Sequence, residues 1–100
     1  MTSTACVYLL CCRDGSLYCG WTTDVQRRLA EHRSGSASRY TRSRRPLELA
    51  AVVSVADRSA ALREEARIKR LPRAAKLALV EAQADESVIR SRRRTDGRHH

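Results

Sequence analysis

Cys6-Val7-Tyr8-Leu9-Leu10-Cys11-Cys12, then Arg13-Asp14-Gly15-Ser16, then Leu17-Tyr18-Cys19-Gly20-Trp21: two short apolar runs flank an Asp-Gly pair, which by turn chemistry is a β-hairpin. Loop length decides which side chains share a face. A two-residue loop at Asp14-Gly15 would set Arg13 opposite Ser16 and put Tyr8 and Tyr18 on opposite faces. A three-residue loop, with Arg13 and Asp14 in a type I turn and Gly15 in the left-handed position of a G1 bulge, sets Tyr8 opposite Gly20 and Tyr18 opposite Leu10. This second register gathers Val7, Leu9, Cys11, Leu17, Cys19 and Trp21 on one much more apolar face, so it is the expected one. It makes the two phenols diagonal neighbours within side-chain reach, beside a glycine expected to leave space for a ligand.

Beyond the hairpin, Thr23-Asp24-Val25-Gln26 reads as a capping box opened by Thr23. The helix it starts should run to about Arg33 and stop near Gly35, a residue suited to a left-handed C-terminal position. On this helix Val25 and Leu29 form the buried stripe, with Arg28 and His32 one turn apart at its edge. Residues Ser34 to Arg45 read as a basic loop with Tyr40 embedded, ended by Pro46. Leu47 to Val55 is a Val-rich third strand, expected to be central because it carries so little charge. Asp57 caps a second helix from Arg58 to about Arg70, and Pro72 starts a third, from Arg73 to about Ala84. The folded unit is expected over residues 1–84, with 85–100 a basic, frayed or nucleic-acid-facing tail.

On the second helix the wheel turns Ala61, Leu62, Ala66 and Ile68 inward, with Glu65 near the middle of that face and Glu64 outside it. An ionised carboxylate is rarely buried without a partner or a metal. Glu65 is therefore either a metal ligand or a salt-bridge partner of Arg58, Arg28 or Lys69. Arg28 and His32 have the same two readings, a reactive pair or two solvated side chains on a basic helix.

One hundred residues make one small domain, excluding a second catalytic domain. Lys+Arg 20 against Asp+Glu 11 leaves a formal charge of +9, and all the cations except Lys69 and Lys76 are arginines. The planar guanidinium fork matches phosphate oxygens, so a polyanion partner, nucleic acid, is favoured over a merely solvated basic surface. No apolar run approaches the roughly 18 to 20 residues of a membrane span, and Met1-Thr-Ser-Thr-Ala5 lacks a charged signal-peptide start. We expect a soluble, cytoplasmic protein with no membrane partner. Cys6, Cys11, Cys12 and Cys19 lie inside strand sequence and lack the paired spacing of a zinc site. They are expected to be core thiols in a reducing compartment.

Val7-Tyr8-Leu9 about ten residues before Tyr18-Cys19-Gly20, then Thr22 to His32 with its Arg-x-x-x-His, Tyr40-Thr41 in a basic loop, and Ala61 to Lys69 with its Glu, resemble in order the GIY-YIG endonuclease family. The match runs from about Ala5 to Leu71 and is most similar to small stand-alone bacterial members. The resemblance implies an α+β fold, a three-stranded antiparallel sheet flanked by about three helices, with a phosphodiesterase site on one face. Tyr8 and Tyr18 match the motif tyrosines, Gly20 the motif glycine, Arg28 the family arginine, His32 a histidine of some branches and Glu65 the metal-binding glutamate; Tyr40 matches an additional tyrosine. Val7, Leu9 and Cys19 depart from the motif letters at packing positions, and Trp21 stands where some members carry a lysine.

The resemblance further implies one divalent cation, Mg²⁺ first and Mn²⁺ as a substitute, held by Glu65 and waters against a nonbridging phosphate oxygen and the leaving 3′ oxygen. Arg28 would share the developing charge. Tyr8 would take a proton from the attacking water, with Tyr18 or His32 orienting or relaying it. Gly20, Arg39, Tyr40, Arg42, Arg44 and Arg45 would contact the nucleic acid. Three function classes follow: a metal-dependent endonuclease acting on DNA, a non-catalytic nucleic-acid-binding module on the same scaffold, and a structural thiol or zinc protein. A domain this small should touch mostly phosphates, with low sequence specificity and a preference for branched, nicked or single-stranded DNA, specificity coming from a protein partner where there is any.

Overall fold

A computed structural model describes residues 4–83. The hairpin adopts the three-residue loop: Gly15 sits at φ +84°, its N–H donates to Cys12 O at 2.9 Å, and Cys12 N–H donates to Ser16 O at 2.9 Å. Asp14 stiffens the turn by accepting from Ser16 N–H (3.0 Å) and Ser16 Oγ–H (2.6 Å). Strands β1 (Ala5–Cys12) and β2 (Leu17–Thr22) therefore pair with Tyr8 opposite Gly20 and Leu10 opposite Tyr18, as the turn chemistry predicts.

Strand β3 (Leu47–Val55) has the expected span but not the expected place: the order is β2-β1-β3, all antiparallel, so β1 is central and β3 lies at an edge. Its scarcity of charge has another cause. The outer edge of β3 is met by Gln83, whose Oε1 accepts from Val52 N–H (3.0 Å) while its Nε2–H donates to Val52 O (2.6 Å). A side-chain amide thus stands in for a neighbouring strand and covers an edge that charged residues usually protect.

Both sheet faces are buried. Val7, Leu9, Cys19 and Ala51 pack under α3 (Arg58–Lys69) and α4 (residues 73–83), whose Ala61, Ile68 and Leu79 join that cluster. Tyr8, Leu10, Cys12 and Leu47 pack on the other face against Leu29 of α1 (Val25–Ser34). Cys11, expected on the apolar face, is exposed.

The helix caps differ from expectation in one place. Asp24, not Thr23, caps α1: its carboxylate accepts from Arg27 N–H at 3.1 Å, and Thr22 Oγ1 braces it by accepting from Asp24 N–H at 3.0 Å. Gly35 closes α1 at φ +88°, and Asp57 caps α3 by accepting from Ala60 N–H at 2.8 Å. The segment expected to be all loop contains a short helix α2 (Arg39–Arg42), capped by Ser38 Oγ accepting from Thr41 N–H at 3.1 Å. On α3 the buried stripe is narrower than the wheel predicts: Leu62 is 52% exposed and Ala66 is exposed, so Ala61 and Ile68 make the contact and Glu64 and Glu65 are half-buried beside it.

The boundary expected at 84 and the basic tail lie outside the described residues. Among the described residues all four cysteines are free thiols, no three His, Cys, Asp or Glu side chains cluster as metal ligands, and no helix is long and apolar enough to cross a membrane.

Candidate active site

Tyr8 lies mid-strand on the central strand, only 4% exposed, with its ring over Gly20 of β2. A Cβ at position 20 would stand 2.5 Å from Tyr8 Oη and 2.7 Å from Cζ. The space above Gly20, expected to admit a ligand, is filled by the Tyr8 phenol itself, for which the missing side chain makes room.

His32 was expected at the edge of α1 and is instead its most buried side chain, 1% exposed. Its Nε2 lies 2.9 Å from Tyr8 Oη and its Nδ1 lies 2.8 Å from Oγ1 of Thr41, a fully buried residue of α2. One proton placement satisfies the whole chain. With the proton on Nδ1, His32 donates to Thr41 Oγ1, Thr41 donates to Ser38 O (3.4 Å), and Nε2 accepts from the Tyr8 hydroxyl. The other tautomer leaves the buried Tyr8 O–H with no acceptor among the described residues, a cost of about 1–3 kcal/mol. Thr41 and Ser38 were not singled out as functional residues. Their Ser-x-x-Thr spacing is the available signal, since it is how a capping hydroxyl reaches the N–H three residues on.

Electrostatics reinforces this state. Burial, the nearby Tyr18 and the Glu65 carboxylate push the Tyr8 phenol above its usual range, against a lowering by the Arg28 guanidinium. Burial first and Arg28 second pull His32 below its usual 6.5. At neutral pH the pair is thus a neutral phenol donating to a neutral imidazole.

Arg28 is half-exposed and pairs with Glu31 at 3.3 Å, so of the expected Arg28–His32 pair only the arginine meets solvent. The Glu65 side chain is 19% exposed, with Lys69 as its partner at 3.4 Å, one of the three partners weighed from sequence. Burial and then Glu65 push the Cys19 thiol up to about 11, which keeps it a packed thiol rather than a thiolate.

Aromatic and cationic side chains form the mouth. Tyr18 meets His32 edge-on (5.2 Å between centroids) and stacks on Tyr40 at 5.8 Å and 29°; Arg44 lies over the Tyr40 ring, 3.7 Å from its centroid. Arg44 is held there by Asp14 of the hairpin turn at 3.0 Å and by Tyr40 O at 3.0 Å. Of the other basic residues named from sequence, Arg39 stands exposed on α2, while Arg42 and Arg45 turn to a separate hollow away from Tyr18.

Residues 4–78 match the family model described as the GIY-YIG catalytic domain. The chain is 48% identical over 80 residues to a UPF0213 protein of Oceanobacillus iheyensis, covering 80% of this chain and 93% of that one, and 52% identical over 73 residues to a UPF0213 protein of Halobacterium salinarum, covering 73% and 95%. Among solved structures it is similar to the solution NMR structure of a UPF0213 protein from Bacillus halodurans, with TM-score 0.52 and 43% identity over 79% of this chain and 84% of that one. An NMR structure of a protein from E. faecalis matches with TM-score 0.56 and 35% identity over 84% and 92%.

Proposed function

The chain belongs to the GIY-YIG family of catalytic domains, and from that premise we propose that it is a metal-dependent endonuclease hydrolysing phosphodiester bonds in DNA, with low sequence specificity and a preference for branched, nicked or single-stranded structures. The buried Tyr8–His32–Thr41 chain carries this reading. A surface that only binds nucleic acid has no need of a phenol aligned on an imidazole.

As the attacking water gives a proton to Tyr8 Oη, the Tyr8 proton passes to His32 Nε2, so the phenol relays without ever ionising. This avoids the penalty that its raised pKa would impose on a free phenolate. Thr41 holds the imidazole in the accepting tautomer. Tyr18, in edge contact with His32, keeps the ring aligned, and Arg28 stabilises charge developing at the phosphate. The donor set fits one divalent cation, Mg²⁺ first and Mn²⁺ as a substitute: Glu65 supplies a carboxylate whose one ion-pair partner among the described residues is an exposed lysine, and Mg²⁺ in such sites is bound through one or two carboxylates with waters and phosphate oxygens. When bound, the cation would supply charge neutralisation at the phosphate.

The test is cleavage of a panel of labelled DNA and RNA structures by wild type and Glu65→Ala with Mg²⁺, Mn²⁺ or EDTA, with binding followed in parallel. Metal-dependent cleavage falling about a hundredfold or more in the variant, with binding retained, is expected. Binding by the wild type without cleavage under any metal would instead favour the non-catalytic module, with Glu65 serving only as the partner of Lys69.

A pH dependence follows from His32. Its pKa is lower folded than unfolded, so below the unfolded value of about 6.5 the unfolded chain binds more protons and stability falls with pH until the folded pKa is passed. The contribution is fully present above about 6.5. The melting temperature should drop from pH 7 to pH 5, and less in His32→Gln than in wild type. Equal drops would show that His32 is not the titrating group.

A further inference from the structure

Arg13, Arg33, Arg42 and Arg45 line one hollow of about 540 Å³, with Pro46 and Leu47 adding apolar wall. It lies where the end of β1, the C-terminus of α1, the end of α2 and the start of β3 meet. None of these four arginines is in an ion pair among the described residues, a state they share with Arg39, Arg58, Arg63, Arg70, Arg73 and Lys76; what sets them apart is that the four line one hollow. Four uncompensated guanidiniums around one hollow repel one another, and an anion placed among them relieves that repulsion.

The hollow is also built. Arg45 donates from Nε to Arg42 O (3.0 Å) and from Nη1 to Arg33 O (3.3 Å), so its guanidinium is oriented before any ligand arrives. Gly35 makes room for this: a Cβ there would stand 3.1 Å from both Arg45 Cζ and Arg42 Cγ, and φ +88° already favours glycine. The volume is in the range of small-molecule sites and larger than a bare phosphate requires. Guanidinium planes and an apolar wall suit an unpaired base as well as its phosphate.

Helix α2 separates this hollow from the catalytic mouth while joining the two. Thr41 points to His32, Tyr40 stacks on Tyr18, and Arg42 faces the hollow. Arg13 N–H donates to Arg44 O at 2.9 Å, tying an arginine of the hollow to the one that covers Tyr40.

We propose that the Arg13–Arg33–Arg42–Arg45 hollow is a second nucleotide subsite, seating an unpaired nucleotide of the substrate strand beyond the scissile bond, its phosphate among the guanidiniums and its base against Pro46 and Leu47. The continuity of the strand rests on the nuclease reading; the class of ligand does not. The site lets a small domain favour single-stranded flanks without reading a sequence.

The experiment measures anisotropy of fluorescein-labelled single-stranded and blunt duplex oligonucleotides, in EDTA and at 50 to 300 mM salt, with wild type and R13Q/R33Q/R42Q. Arg45 is left in place because it braces two carbonyls. In parallel, deoxythymidine monophosphate and a short single strand are titrated into ¹⁵N-labelled wild type, watching arginine Nε–Hε signals. The expected result is a loss of about tenfold or more for the single strand, a salt slope shallower by about 0.7 for each phosphate contact removed, a smaller loss for the duplex, and displaced signals of Arg45 and Arg33 in wild type. Equal losses on both DNAs would overturn the subsite in favour of a general basic field, as would unchanged binding. Response to the free nucleotide with no change in strand affinity would overturn the strand assignment. Because EDTA removes the chemistry, a wild type that binds in the expected way yet never cleaves leaves the subsite standing and removes the nuclease reading; a wild type that cleaves while the variant binds normally does the reverse. If the triple variant unfolds, Arg42→Gln alone and the wild-type titration decide.

Discussion

Tyr8→Phe is expected to slow phosphodiester cleavage by about a hundredfold to ten-thousandfold, the range over which a positioned acid or base acts. The ring, its packing over Gly20 and its burial all survive the change; what disappears is one oxygen, at 2.9 Å from His32 Nε2. Water could then reach His32 only by entering a space the ring still fills. The fold should also weaken by about 1–3 kcal/mol, since a buried imidazole nitrogen loses its donor. Single-turnover cleavage and thermal melting of the same variant separate the two effects. DNA binding should be unchanged, because the hydroxyl is committed to His32 and adds little to the surface that a strand meets. Cleavage at the wild-type rate would remove the relay from the mechanism and transfer the base to another group.

Gly20→Ala should be nearly as damaging, although it adds only a single methyl group. The new Cβ would meet Tyr8 Oη at 2.5 Å and Cζ at 2.7 Å, distances that van der Waals contact forbids. A phenol on the surface would swing away at little cost. Here the ring is buried and bonded to His32, so any swing breaks that bond. Overpacking of this kind costs about 1–3 kcal/mol, and cleavage should fall with the displaced hydroxyl. Adding Tyr8→Val removes the clashing atoms: in Gly20→Ala/Tyr8→Val the methyl group should cost much less stability than in Gly20→Ala alone. Costs that simply add would show that the two residues do not collide.

Much of this was legible because it is local. Gly15 at positive φ sets the hairpin register, and strand alternation then carries Tyr8, Tyr18 and Gly20 to one face with no help from the rest of the chain. The span of β3 and the cap of α3 could likewise be read from Val enrichment and from Asp57. The displaced cap of α1 is a competition between adjacent residues, won by Asp24 because Thr22 braces it.

What could not be read depends on residues distant in sequence meeting in space. A helical wheel puts His32 at the rim of α1; it is the hydroxyls of Tyr8, 24 residues before it, and Thr41, nine after, that make its burial tolerable. The edge position of β3 was hidden because Gln83, 31 residues on, saturates Val52 and removes the need for guarding charges. Gly20 looked like an opening until the ring across the strand pair filled it. Turn chemistry and side-chain alternation act through neighbouring bonds, so the chain's order of residues was enough for the hairpin, the spans of α1 and α3 and the shared face of the tyrosines, but not for the short α2. Burial of a polar group is worth its desolvation only when partners arrive from other elements, and so the aligned Tyr8–His32–Thr41 chain and the four-arginine hollow exist only once sheet and helices are assembled.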